Sequence, residues 1–129
     1  MRAAYLFGLG VALMSGPGRG LGSPPAFAAY PATRYQGPRA ALQLTPGTAA
    51  WSFRTRIREA ARQPINFGGQ YVLAAWGCGL ECVSYAIIDV KTGAVYATTP
   101  TVCCWGTAVP ADFEPIRFRA DSRLLCLTG

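Results

Sequence analysis

The sequence contains no histidine, and that absence excludes more chemistry than any residue present invites. Imidazole is the usual general base near neutral pH and the commonest metal ligand. Without it no Ser-His-Asp triad, Cys-His pair or histidine zinc site can be assembled. Charge is also scarce, at 14% of residues against about 25% in an ordinary soluble domain. Lysine occurs once, as Lys91, and acidic residues number six. Nor does any apolar run reach the roughly 20 residues that a membrane-spanning helix requires.

What remains is a chain of 129 residues, 51% apolar, with 15 glycines, 10 prolines and five cysteines. That is enough for one small domain. Residues 1–28 read as a signal peptide. Met1-Arg2 is a positive start, Ala3 to Met14 an uncharged apolar core, and Ala26-Phe27-Ala28 the best small-residue cleavage signal. The expected location is therefore periplasmic or secreted, and the protein is not expected to be integral to the membrane once the leader is removed. Cleavage after Ala28 removes Arg2 and Arg19 and leaves ten basic against six acidic residues, a net of +4. So modest a charge, in an exported chain, argues against a nucleic-acid partner.

Residues 29–46 hold Pro31, Gly37, Pro38 and Pro46 with little periodicity and read as an extended arm. Thr45-Pro46 has the chemistry of a helix start, and Ala50, Phe53, Ile57, Ala60 and Ala61 recur at three-to-four spacing. One amphipathic helix is predicted over about 47–63. Its other face carries Arg54, Arg58 and Arg62. That face could bind anions such as phospholipid head groups or cell-wall polymer, though so short a run more commonly makes a solvated surface.

Beyond Pro64 the pattern changes to strands: Gln70 to Trp76, Val83 to Val90, Ala94 to Thr99, about Thr101 to Thr107, Ile116 to Arg119 and Arg123 to Thr128. The predicted fold class is α+β, with residues 47–129 packing the helix on an antiparallel meander of about five to six strands. The closing apolar strand Leu124 to Leu127 needs neighbours. Either it closes against an earlier strand or the domain lacks a terminal one.

Trp76-Gly77-Cys78-Gly79-Leu80-Glu81-Cys82 is the most informative string. In an oxidising compartment Cys78 and Cys82 can close a small disulfide across a glycine-containing loop. Trp76, Gly77, Gly79 and Glu81 then become a candidate binding loop, although large aromatics such as Trp76 and Trp105 mostly pack in cores. A redox dithiol prefers two intervening residues at a helix start, a poor match here. Four thiolates from Cys78, Cys82, Cys103 and Cys104 could hold zinc, but the adjacency of the last two suits one tetrahedral ion badly. Adjacent cysteines seldom bond to each other, so one of Cys103 and Cys104 is expected to reach another thiol. With five cysteines, at least one is free or bonded elsewhere. Among Glu81, Asp89, Asp112, Glu114 and Asp121 no spacing marks a catalytic carboxylate pair. No catalytic residue, metal or cofactor is expected.

Four strings in order, Asn66-Phe67-Gly68-Gly69-Gln70-Tyr71, Trp76-Gly77-Cys78-Gly79 with Cys82, Ile87-Ile88-Asp89 with Thr92-Gly93, and Asp121-Ser122-Arg123-Leu124-Leu125, resemble a family of small exported bacterial proteins of unassigned function. The resemblance covers about residues 50–129. It implies a bacterial envelope protein and carries no site residues. It also implies a strand or two beyond the Asp-Ser-Arg-Leu-Leu string. The expected function is a non-enzymatic, disulfide-stabilised binding or structural module whose partner is an envelope protein or cell-wall component. Small exported β proteins that inhibit cell-wall hydrolases through a disulfide-closed loop supply one alternative, by analogy of architecture. A thiol redox or cysteine-metal protein is the other.

Overall fold

Val72 and Leu73 are neighbours and both buried, yet they point into different apolar clusters. Successive residues of a strand face opposite sides of a sheet, so this strand is covered on both faces. The computed structural model describes residues 2–6, 26–97 and 101–129. Its elements are strand β1 (Arg2–Leu6), a 3-10 turn (Phe27–Ala29), helices α1 (Ala49–Ser52) and α2 (Arg54–Ala60), and strands β2 (Tyr71–Gly79), β3 (Cys82–Asp89), β4 (Val95–Tyr96), β5 (Val102–Cys103), β6 (Ile116–Arg117) and β7 (Leu124–Thr128). The fold is mixed α+β and rich in strands.

These strands form two antiparallel sheets, not the single meander read from the sequence. One has the order β2-β3-β4 with β5 also on β3; the other has the order β1-β7-β6. The physical reason lies in β2 and β3 themselves. Their odd-numbered residues Leu73, Val83, Tyr85 and Ile87 are as apolar as their even-numbered ones, so a solvated second face would be costly. Ile116, Leu125 and Leu127 of the second sheet cover that face together with Phe67 and Val102. On the other face Val72, Ala86 and Ile88 pack with Ala50 and Ile57 of the two helices.

The helix predicted over 47–63 is two short ones. Phe53 interrupts them at φ −111° and ψ 20°, and the N-cap is Thr48, whose hydroxyl accepts from the Trp51 N–H, in place of Thr45. Beyond Ala29 the arm has no helix or strand of its own but is tied down at intervals. Ala32 N donates to Asp121 O, Tyr35 N to Gly69 O, Ala40 N to Val90 O and Gln43 N to Gly93 O. Of the expected leader, Met1 and residues 7–25 lie outside the described residues, as do Thr98 and Thr99 of the third predicted strand and Pro100 after it. Arg2–Leu6 pair with β7, Arg2 opposite Thr128 and Leu6 opposite Leu124. Phe27 is buried, with the Arg117 and Arg119 guanidiniums over its ring.

Candidate functional site: the cysteine end of the hairpin

β2 continues through Gly77 and Cys78, where the sequence suggested a loop, because a register shift between Gly77 and Gly79 absorbs Cys78 as an extra residue. Pairing resumes at Gly79 opposite Cys82, so the connection shrinks to Leu80 and Glu81. Glu81 accepts a left-handed φ of 50° to close it, and Leu80 at the tip is 95% exposed. The expected Cys78–Cys82 disulfide is present, with Cα atoms 5.1 Å apart. Glu81 secures the turn twice. Its carbonyl accepts from the Cys104 N–H at 3.0 Å and its Oε2 accepts from the Gly106 N–H at 3.1 Å.

Those last contacts bring β5 to the same corner. Cys103 lies opposite Cys82 and Val102 opposite Val83. The expectation that Cys103 or Cys104 reaches another thiol is overturned, since the two are bonded to each other with Cα atoms 3.7 Å apart. Cys82 is already taken by Cys78, and the fifth cysteine, Cys126, is free in β7 of the other sheet. Cys104 adopts a left-handed φ of 68°. With all four sulfurs in disulfides, the four-thiolate metal alternative has no ligands in this state.

Of the proposed loop residues, Gly77 and Gly79 are exposed with open space where a Cβ would stand. Trp76 is half-buried against the helix-side cluster, 4.9 Å from Phe53 between ring centroids. Its indole Nε1 is buried and without a hydrogen-bond partner among the described residues. A groove of about 320 Å³ lined by Arg56, Glu59, Gln63, Asn66 and Trp76 runs between α2 and β2. Trp105 is half-buried against the inter-sheet cluster and meets Phe113.

Arg54 and Arg58 are exposed but occupied. Both guanidiniums sit over the Trp51 ring, at 5.0 and 5.7 Å, and Arg54 Nη1 donates to Trp51 O. Arg62 falls beyond the end of α2, so the three do not form one helical stripe. Nor do Glu81 and Asp89 meet: Glu81 lies in the turn just before β3 and Asp89 ends that strand, about 26 Å apart at strand rise. Asp89 is buried, accepting from Gln70 Nε2 and the Lys91 N–H. Among the described residues no three acidic or cysteine groups gather where a cation could sit.

Two features of the site are not legible in the sequence. The string Trp76 to Cys82 makes Leu80 one residue of a longer loop, and only the short Gly79 to Cys82 turn makes it the tip. The facing of Cys82 and Cys103 depends on long-range register, which no local pattern records. Comparison of the chain with protein-family models, curated proteins and solved structures finds no match.

Proposed function

We propose that this is an exported, non-enzymatic protein of the bacterial envelope that binds a partner protein through the β2–β3 hairpin tip. The observation that carries the reading is Leu80, 95% exposed on a two-residue turn held by the Cys78–Cys82 disulfide and by the carbonyl oxygen and Oε2 of Glu81. A protruding apolar side chain gains by burial in a partner's pocket. A turn already fixed in shape loses little conformational freedom when it docks. The two disulfides fit an oxidising compartment, which agrees with a leader in residues 1–28. A narrow tip suits a cleft better than a flat surface, and inhibition of a cell-wall hydrolase is the specific form this favours.

The test is a photo-crosslinking residue at exposed Gly77, beside the tip and with Leu80 intact, in an exporting host, with adducts identified by mass spectrometry. A defined envelope protein captured from position 77, and lost when Leu80→Asp is added at an unchanged melting temperature, is the expected outcome. Capture only from a second probe at Arg58, indifferent to Leu80→Asp, sinks the hairpin reading.

A further inference from the structure

The hydrogen-bond register at the cysteine end determines which sulfurs face one another. Cys104 N donates to Glu81 O, one residue outward from Cys82 and Cys103 on each side, which puts a ladder-type hydrogen bond just beyond the end of the β3–β5 pairing. In an antiparallel ladder the two pair types alternate, and the next pair inward, Cys82 opposite Cys103, is a non-hydrogen-bonded one. Such pairs bring their Cα atoms to about 4.5 Å with the side chains at their closest. Directly opposed residues also lie on the same face. That separation falls within the range a disulfide spans. Yet each of the two is bonded to a near neighbour in sequence, Cys82 to Cys78 and Cys103 to Cys104.

Exposure divides the four in the same way. Cys78 and Cys104 are exposed, while Cys82 and Cys103 are half-buried. Cys104 is also held in the left-handed region at φ 68°, where a residue other than glycine sits at a cost. Opening its disulfide frees it to leave that conformation.

We propose that these four cysteines form a thiol–disulfide relay, in which a dithiol reductant converts the two short-range disulfides into one cross-strand Cys82–Cys103 disulfide and two thiols, Cys78 and Cys104. A thiolate of the reductant attacks Cys104 Sγ, forming a mixed disulfide and releasing Cys103 as thiolate. Cys103 attacks Cys82 Sγ, which forms the cross-strand bond and releases Cys78 as thiolate; Cys78 takes up a proton. The second thiol of the reductant then attacks the mixed disulfide and releases Cys104, leaving the reductant oxidised. Two electrons enter, one disulfide is lost overall and the thiols balance. The product ties β3 to β5 and frees the hairpin tip of its staple. The relay stands independently of whether the tip binds a partner.

The experiment uses the full chain carrying Cys126→Ser, so that no fifth thiol competes. Oxidised protein receives one molar equivalent of dithiothreitol, is acid-quenched, alkylated with N-ethylmaleimide and mapped by peptide mass spectrometry. The expected two-electron form gains two maleimide adducts, at Cys78 and Cys104, and contains Cys82 linked to Cys103. Adducts at Cys103 and Cys104 with Cys78–Cys82 intact, or the reverse, overturn the relay by showing two independent bonds. So does a mixture of untouched and fully reduced protein alone. A second variant, Cys78→Ser with Cys104→Ser in the same background, tests the geometry without exchange. Air oxidation should close Cys82–Cys103, and two alkylatable thiols in a protein with native-like circular dichroism would overturn the proposal.

Discussion

Burial acts on three ionisable side chains in one direction. It pushes the Cys126 thiol above its ordinary value of 9.0, a rise that Arg117 partly opposes. It likewise raises the phenols of Tyr71, where Asp89 and Tyr96 add to it, and of Tyr85, where Tyr5 does, above the ordinary 10.0. Each group keeps its proton in the folded state at a pH where the unfolded chain has lost it. The folded state therefore binds more protons in that window, and stability falls as pH rises. The contribution is complete below the ordinary values and is lost progressively above 9.0 for Cys126 and above 10.0 for the tyrosines. Denaturant melts across roughly pH 8–11 should show a declining midpoint, and Cys126→Ser should remove its earliest part. A midpoint flat across that range would contradict the account. At this scale the sequence was a good guide to Cys78 and Cys82, whose spacing and glycines are local facts. It misled at Cys103 and Cys104, because the thiols to which either could otherwise turn are placed by the fold: Cys78 and Cys82 are bonded to each other and Cys126 lies in a second sheet.

Gly69 shows what holds the arm to the domain. At φ 77° it receives the Tyr35 N–H on its carbonyl and gives its own N–H to Ala120 O, both at 2.7 Å. A Cβ there would collide with the Thr33 carbonyl. Gly69→Ala thus combines a left-handed alanine with a steric clash, and the expected loss is about 1–3 kcal/mol, roughly 4–8 °C of melting temperature per kcal/mol. Calorimetry would read it, and an unchanged melting point would mean that the arm is not fixed by this contact. Strands β2 and β3 were legible because β-branched and aromatic runs speak for themselves; β3 was displaced by a single residue. The helix was less so. Thr45-Pro46 satisfies the local rules for a start, but Thr48 caps instead and Phe53 leaves helical geometry while packing on Trp76. Tertiary contact there outweighs local preference.

Across the whole molecule the layers run from helices, through the sheet containing β2 and β3, to the sheet of β1, β7 and β6. The second sheet was not legible in the sequence because β1 pairs with β7 from the far side of the chain and nothing local assigns β6 and β7 to a sheet of their own. The sequence did register that Leu124 to Leu127 needs neighbours, and β6 and β1 are those neighbours. A chain beginning at Ala29 would lack β1 and the buried Phe27, opening one edge of β7 and taking away the ring on which Arg117 and Arg119 stack. Such a chain is expected to melt at lower temperature than the full one and to self-associate with rising concentration, as open edges do. Sedimentation velocity would read the association; a monomer of unchanged melting temperature would show that β1 contributes nothing to the sheet.

The pairing of Arg2 with Thr128 also sets a clock. At about 5–20 residues per second, a ribosome needs on the order of ten seconds to deliver β7 after β1 has emerged. Throughout that interval the N-terminal strand has no ladder to join. The cover that Leu125 and Leu127 of β7 give to one face of β2 and β3 is missing for the same interval, so that apolar face stays open well after the hairpin itself has been made.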